Sequence, residues 1–199
     1  MQKKPWLVEN LANTVTIAGL ILAIWMMITV ISEPEKIWTA FFMAIGVVLS
    51  DLADGIIARR LKIISEFGKF LDTFRDKIFV CGTLPILTWH YWNKIYLNWG
   101  ALTLIATLVV LVVMFDLALL AFRPLAWMME KDISANEYGK WKMGWQCGTI
   151  LSWMLFLCLE YSYDFPIMEY TIYIIIVSLG ITLYYSYKSF KGQYTKCFG

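Results

Sequence analysis

Four aspartates lie close together between residues 51 and 76. Asp51 and Asp54 are three residues apart, and Asp72 and Asp76 are four apart. Residues at these spacings share one face of an α-helix, so we expect each pair to point in one direction. Two converging pairs of carboxylates repel each other unless cations neutralise them. Carboxylate oxygens are hard ligands that suit magnesium, calcium or manganese, so the spacing predicts a site for divalent metal ions.

The residues beside these aspartates suit a phosphate ligand. Gly55 follows Asp54 directly, and Gly68 lies one turn before Asp72. A glycine removes a side chain, so a ligand can approach the backbone closely at both positions. Arg59 projects from the same helix end as Asp54, and its fork of donors matches phosphate oxygens. Together these residues favour a diphosphate held by metal, arginine and open backbone.

Two other interpretations fit the same residue types. The acids could form structural ion pairs with the nearby basic side chains, which are Arg59, Lys69, Arg75 and Lys77. They could also line a cation pathway in a transporter, since ionisable groups inside membranes often mark ion routes. A purely structural scaffold would tolerate Asp72→Glu, whereas metal ligands require placement within about 0.5 Å. Residue types alone therefore leave catalysis, transport and structure open.

The elements that position these residues are membrane helices. The chain has 199 residues, is 60% hydrophobic and has a mean hydropathy of +0.63, whereas soluble domains are roughly 45–50% apolar. A spanning helix needs about 20 mostly apolar residues. Such runs lie at about 13–31, 37–58, 67–92, 99–121, 145–161 and 168–187. We therefore predict an all-α polytopic membrane protein, a six-transmembrane-helix bundle forming a single domain over residues 1–199.

The charges predict how the chain is oriented. Lysines and arginines concentrate in the N-terminus, alternate loops and the C-terminus, which predicts that both termini and the acidic cluster lie on the cytoplasmic side. Residues 5–11 read as a short interfacial helix before the first span. A formal net charge of +2 gives no basis for binding nucleic acid. We expect an integral protein of a bacterial-type cytoplasmic membrane.

The spacing of the acidic cluster resembles a known signature. The run is Asp51-x2-Asp54-Gly55-x2-Ala58-Arg59-x8-Gly68-x3-Asp72-x3-Asp76. At every fixed position it resembles the signature of the CDP-alcohol phosphatidyltransferase family. The resemblance implies a six-helix membrane enzyme that uses two divalent ions, Mg²⁺ or Mn²⁺. Such an enzyme displaces CMP from a CDP-linked lipid through attack by an alcohol hydroxyl.

The resemblance also implies a role for each residue. Asp51, Asp54 and Asp72 would be metal ligands. Asp76 would be the catalytic base for the incoming hydroxyl and would help to hold the second ion. The residues implied to border the CDP-donor site are Asn13, Thr16, Asp54, Gly55, Ala58, Arg59 and Gly68.

Residues further along resemble one branch of the family. Gly139-Lys140-Trp141-Lys142-x3-Gln146 is similar to an element of phosphatidylglycerophosphate synthases, and Asp116 and Arg123 resemble that branch's acid and arginine. CDP-diacylglycerol is the donor that this branch implies. The departures are Met143 in place of threonine, Phe115 in place of an arginine, and Gly19 in place of a first-helix arginine. These changes bear on the acceptor rather than on the chemistry.

Basic residues on the predicted cytoplasmic side indicate a phosphorylated acceptor. Arg123, Lys140 and Lys142 suit a phosphate, with glycerol 3-phosphate as the first choice and inositol phosphate as the second. The alternative is that they are only the positive charges of cytoplasmic loops. We expect Asp116 to orient Arg123 or Lys140 rather than to act in catalysis. Gly144, Gly148 and Ser152, at four-residue spacing, are a signal for a homodimer contact or for packing within one chain.

Overall fold

The computed structural model describes residues 6–61, 66–92, 99–128, 137–163 and 167–198. Within these ranges the described side chains leave out residues 6–12, 58–61, 66, 67, 69, 91, 123–128, 167–169, 197 and 198. The helices are α1 (Trp6–Ser32), α2 (Ile37–Leu61), α3 (Glu66–Trp92), α4 (Trp99–Met128), α5 (Glu137–Tyr163) and α6 (Ile167–Phe198). A 3-10 turn, Pro34–Lys36, joins α1 to α2. Among the described residues only Glu33 lies outside a helix, which confirms the all-α prediction.

The break between α1 and α2 has a local cause. Pro34 has no backbone N–H, and it disfavours the helical conformation at Glu33, whose backbone has φ −137° and ψ 68°. The Glu33 N–H still donates to the Thr29 carbonyl at 2.9 Å, and the Lys36 N–H donates to the Glu33 carbonyl at 2.8 Å. The turn is therefore tight, and α2 begins at once.

The outer surface of α1 is apolar. Ile17, Ile21, Ile24, Ile28 and Ile31 recur every three or four residues and are exposed. This spacing places them on one helix face. A helix that faces water carries polar residues on its exposed face, whereas this exposed face carries isoleucines. Such a face suits contact with lipid tails.

Within the part of the chain that the structure describes, four helices are long and apolar enough to cross a membrane. The stretches are Asn13–Ser32, Pro34–Ile57, Trp99–Phe122 and Tyr170–Lys196. An integral membrane protein is thus confirmed. Helices α3 and α5 fall outside this set, and each contains polar and charged residues that lower its mean hydropathy. The count of six spans stays a prediction. Residues 6–12 continue directly into α1 instead of forming a separate interfacial helix.

The chain divides into two compact units, Met1–Gly82 and Thr83–Gly199, with the boundary inside α3. In the first unit α1 packs along α2. A Cβ built at Gly46 would lie 2.9 Å from the Leu22 side chain, so a glycine there lets the two helices approach closely. The prediction of a single domain stays open.

In the second unit α6 packs against both α4 and α5. Aromatic rings fill the α4–α6 contact: Phe115 meets Tyr187 and Phe190 edge to face, with ring centroids 6.2 and 5.5 Å apart. Such pairs stabilise packing beyond their buried area. Position 115, where the resembled branch carries an arginine, is thus an apolar packing position in this chain.

Candidate active site

The four aspartates converge within the first unit. Asp51 and Asp54 lie toward the end of α2, and Asp72 and Asp76 lie near the start of α3. All four carboxylates contact one guanidinium, that of Arg75. The helical spacing of each pair therefore brings both members to the same point, as the sequence predicted.

Arg75 lies at the centre of this acidic cluster, which we define as Asp51, Asp54, Asp72 and Asp76. Its Nη1 donates to Asp54 Oδ2 at 2.6 Å. Its Nη2 donates to Asp72 Oδ1 at 2.9 Å, to Asp76 Oδ1 at 3.1 Å and to Asp51 Oδ1. The Arg75 side chain is only 1% exposed. The sequence identified Arg75 as one of several ion-pair partners but did not identify its central place.

The members of the acidic cluster differ in exposure. The Asp54 side chain is 7% exposed, and its Oδ2 also accepts a hydrogen bond of 2.8 Å from Thr16 Oγ1. The side chains of Asp51, Asp72 and Asp76 are 30%, 45% and 23% exposed. Asp54 thus joins α2 to α1 and α3, while the other three acids keep an open face.

These three acids fit a divalent metal ion. Asp51, Asp72 and Asp76 each offer a carboxylate oxygen, and the three oxygens lie within 4.8 Å of one another. All the donors are hard oxygens, as magnesium and manganese prefer, and the open face leaves room for substrate or water ligands. Asp54 lies outside the set of described residues that meets this distance. The donor set therefore suits the kind of ion that the resemblance implies.

The ion-pair interpretation explains only part of this arrangement. One guanidinium neutralises one of the four carboxylates that it contacts. Grouped acids of like charge raise the energy of their ionised forms unless further cations balance them. Lys77 has an interaction of its own, and the side chains of Arg59 and Lys69 lie outside the described residues. Among the contacts that the described residues show, the single charge of Arg75 is shared by four acids, which leaves the acidic cluster suited to a further cation.

The residues expected at the CDP donor all belong to the first unit. Thr16 is buried and bonded to Asp54, and Asn13 is half-buried one turn earlier on α1. Gly55 and Gly68 are half-buried near the ends of α2 and α3 that carry the aspartates. The side chains of Ala58 and Arg59 lie outside the described residues.

Gly19 shows why the first helix carries no arginine at that position. A Cβ built there would collide with Ser50 Oγ and would lie 3.3 Å from Cδ of Arg75. Any side chain at position 19 would therefore meet the stem of Arg75. In this chain the third helix supplies the arginine of the acidic cluster, and the first helix leaves space for it.

A second buried polar cluster lies in the other unit. Asp116 of α4 is fully buried and accepts hydrogen bonds from Lys142 Nζ at 2.5 Å and from Gln146 Nε2 at 2.7 Å, both on α5. Lys142 and Gln146 are four residues apart and so share a helix face. Asp116 thus contacts Lys142, a partner that the sequence analysis did not name, while a contact with Arg123 stays a prediction because that side chain lies outside the described residues.

The three basic residues expected at an acceptor phosphate differ in environment. Lys140 is exposed near the start of α5, and Lys142 is buried against Asp116. The side chain of Arg123 lies outside the described residues. Lys140 is therefore open to a ligand, while Lys142 would have to leave Asp116 in order to bind one directly.

We expect Lys142→Met to destabilise the protein by about 3 kcal/mol, because it leaves the carboxylate of Asp116 buried without its cation. Thermal unfolding of the purified protein in detergent measures this as a lower midpoint. The double variant Asp116→Asn with Lys142→Met should regain much of the loss, because it removes both charges. Lys140→Met, which changes an exposed lysine on the same helix, is the matched control. Equal midpoints for Lys142→Met and Lys140→Met would contradict a structural ion pair.

Comparison with known proteins identifies the same family. A family model described as CDP-alcohol phosphatidyltransferase matches residues 9–184, which is most of the chain. The match covers the acidic cluster in the first unit and the Asp116, Lys142 and Gln146 cluster in the second.

Individual relatives align over about half of the chain. A protein of Mycoplasma pneumoniae named CDP-diacylglycerol–glycerol-3-phosphate 3-phosphatidyltransferase is 33% identical over 108 residues, which are 54% of this chain and 42% of the relative. A protein of the same name, numbered 2, from Arabidopsis thaliana is 30% identical over 113 residues, 54% and 47% of the two chains. A cardiolipin synthase (CMP-forming) of Streptomyces coelicolor is 32% identical over 109 residues, 54% and 49%. The matches therefore span about half the length of these relatives or less.

Proposed function

The chain belongs to the CDP-alcohol phosphatidyltransferase family, and from this premise we propose that it transfers a phosphatidyl group from CDP-diacylglycerol to an alcohol hydroxyl, releasing CMP. The observation that carries the proposal is the convergence of the acidic cluster, with three acids open on one side. Phosphoryl transfer depends mainly on positioning and charge stabilisation. Four carboxylates around one point are suited to that task.

The acidic cluster would hold the divalent metal on which this family generally depends. We propose Mg²⁺ or Mn²⁺, with two ions as the resemblance implies. The close oxygens of Asp51, Asp72 and Asp76 would supply ligands. Asp54 would be a further ligand, and Asp76 would help to hold the second ion, as the resemblance implies. A bound divalent cation would supply neutralisation of the diphosphate charge and of the departing CMP.

Asp76 would act as the general base. Its side chain is 23% exposed, and its 3.1 Å contact with Arg75 leaves the second carboxylate oxygen for another partner. In the proposed step Asp76 takes the proton of the acceptor hydroxyl while the hydroxyl oxygen bonds to the phosphatidyl phosphorus. The bond from that phosphorus to the bridging oxygen of the diphosphate breaks, and CMP leaves with this oxygen. A base must lie within hydrogen-bond reach of the proton that it removes, and a partly exposed acid can be approached by the acceptor hydroxyl.

The donor would lie along the faces of α1, α2 and α3 that meet at Asp54. Thr16 fixes Asp54 through the 2.8 Å hydrogen bond, and Asn13 lies one turn away. Gly55 and Gly68 would leave room for the diphosphate beside the backbone. Ala58 and Arg59 are proposed for the same site on the strength of the signature alone.

Glycerol 3-phosphate is the acceptor that we propose first. The support is the reaction named for the Mycoplasma and Arabidopsis relatives, together with the basic residues Arg123, Lys140 and Lys142. Inositol phosphate is the second choice. The Streptomyces relative favours a further candidate, formation of cardiolipin with release of CMP.

We expect the purified protein in detergent to release CMP from CDP-diacylglycerol when glycerol 3-phosphate and Mg²⁺ or Mn²⁺ are present. Chelation with EDTA should abolish the release, and added metal should restore it, because the acidic cluster needs its cations. CMP is measured by chromatography, and the lipid products are identified by mass spectrometry. Inositol phosphate, inositol, serine and choline serve as comparison acceptors.

The product decides between the candidates. Phosphatidylglycerophosphate would support the first choice, and cardiolipin would move the proposal to the reaction named for the Streptomyces relative. If the folded, metal-loaded protein released no CMP with any of these acceptors, that result would contradict the proposed transfer. Metal uptake into proteoliposomes without any CMP release would then favour the transporter interpretation.

Sidedness and assembly complete the proposal. We propose that both termini and the acidic cluster face the cytoplasm, on the charge pattern of the loops.

A homodimer is supported by α5, where a Cβ built at Gly144 or Gly148 would meet nothing within 4 Å. This small-residue face is therefore open within the described part of the chain and is available to a second copy.

A further inference from the structure

Arg75 and a divalent ion would use the same ligands. The Nη2 atom of Arg75 donates to Asp51, Asp72 and Asp76. These are the three acids whose oxygens converge within 4.8 Å as a metal-binding set. One nitrogen atom therefore contacts all three acids of the metal-binding set.

The second nitrogen has a different partner. Nη1 of Arg75 donates to Asp54 Oδ2 at 2.6 Å, the same oxygen that accepts the hydrogen bond from Thr16. Asp54 lies outside the converging set, and its side chain is nearly fully buried. Arg75 thus has one contact that a metal at the open face leaves in place and three contacts that it would disturb.

Electrostatics makes Arg75 the counter-ion of the cluster when other cations are absent. Charged groups that are removed from water need partners of opposite charge. A guanidinium can bind several carboxylates at once through its fixed fork of donors. A divalent ion brings twice the charge to the same three acids. The two cations repel each other, so both cannot keep full contact with Asp51, Asp72 and Asp76.

We propose that Arg75 is a built-in competitor for the divalent metal, so that metal binding is an exchange. The metal takes Asp51, Asp72 and Asp76, the Nη2 contacts of Arg75 give way, and Nη1 stays on Asp54. The inference rests on the metal site of the proposed function. Its consequence is that Arg75 weakens metal binding in the absence of substrate instead of supporting it.

Direct titration of the chelator-treated protein with Mn²⁺, without any lipid donor, tests the exchange. Isothermal calorimetry or the electron paramagnetic resonance signal of free Mn²⁺ gives the dissociation constant. We expect Arg75→Gln to lower this Kd by about tenfold or more, because several charge-assisted hydrogen bonds no longer have to be broken. Arg75→Lys, which keeps the charge but loses the fork, should fall between Arg75→Gln and the wild type.

Lys36→Gln is the matched control. It removes one positive charge from the same unit, but Lys36 is exposed and pairs with Glu33 one turn away. Its Kd for Mn²⁺ should equal that of the wild type. A Kd for Arg75→Gln that equals or exceeds the wild-type value would overturn the proposal, because Arg75 would then be assembling the metal site.

Thermal unfolding keeps the test decisive if Arg75→Gln is unstable without metal. If Arg75 competes with the metal, metal-free Arg75→Gln should have a lower unfolding midpoint than the wild type. Adding Mn²⁺ should then raise its midpoint by more than it raises that of the wild type. A smaller rise in both Arg75→Gln and Arg75→Lys would overturn it. If neither the wild type nor any variant binds Mn²⁺, the metal site of the proposed function fails. If the wild type binds and the variant binds no more tightly, only the competition fails.

Discussion

Asp76→Asn is expected to lower the turnover number for CMP release by about 10³-fold, in line with the contribution of a general base. The amide has almost the same shape as the carboxylate but cannot take the proton of the acceptor hydroxyl. Asp76 makes one contact to Arg75 at 3.1 Å, which an amide oxygen can also accept. The fold should therefore persist. Steady-state release of CMP at saturating donor and acceptor measures the loss.

The control for this variant is Glu35→Gln, which makes the same chemical change at an exposed acid in the first unit. Its turnover should match the wild type. Turnover by Asp76→Asn within a few fold of the wild type, in protein with an unchanged unfolding midpoint, would remove Asp76 from the role of base. The reaction would then need another acceptor for the proton.

Asp72→Glu should lower the rate of CMP release by about 10²-fold or more, although it conserves the charge. Asp72 is the most exposed acid of the cluster, at 45%, and it belongs to the converging set. One extra methylene moves its oxygens by more than the roughly 0.5 Å that a metal ligand tolerates. The rate is measured with Mg²⁺ and with Mn²⁺, each titrated to saturation.

Glu35→Asp shortens an exposed acid by one methylene and is the matched control. A structural scaffold makes the opposite prediction for Asp72→Glu, because a charged side chain on an open face accommodates one more methylene. Normal rates with either metal would therefore favour the scaffold over a metal ligand. A loss that high metal concentration restores would indicate weakened metal affinity with the chemistry intact.

The geometry of the acidic cluster follows largely from its sequence. Spacings of three and four residues place Asp51 with Asp54, and Asp72 with Asp76, on common helix faces. Both pairs do meet at one point. Local helix periodicity suffices for this prediction because α2 and α3 are consecutive helices, each with its pair close to the connection between them.

The central place of Arg75 could not be predicted in the same way. Several basic side chains lie near the aspartates along the chain, and periodicity does not say which one turns inward. Arg75 follows Asp72 by three residues, which was a signal for one of its contacts. Its contacts to Asp51 and Asp54 depend on how α3 packs beside α2. The local sequence of either helix does not specify that packing.

Lys142 shows a related limit. The sequence favoured a phosphate ligand for this lysine, and the structure buries it against Asp116. The four-residue spacing of Lys142 and Gln146 predicted a shared face. Which face of α4 that pair would meet depends on the register of two helices, and single-sequence reasoning gives no register.

The same tie between α4 and α5 has a consequence for how the chain enters the membrane. Asp116 is the only charged residue between Trp99 and Phe122, and a lone carboxylate makes insertion of such a segment less favourable by up to roughly 3 kcal/mol. Its partners Lys142 and Gln146 are synthesised later, on α5. We therefore expect α5 to make the final position of α4 more favourable, because Lys142 and Gln146 satisfy the carboxylate of Asp116.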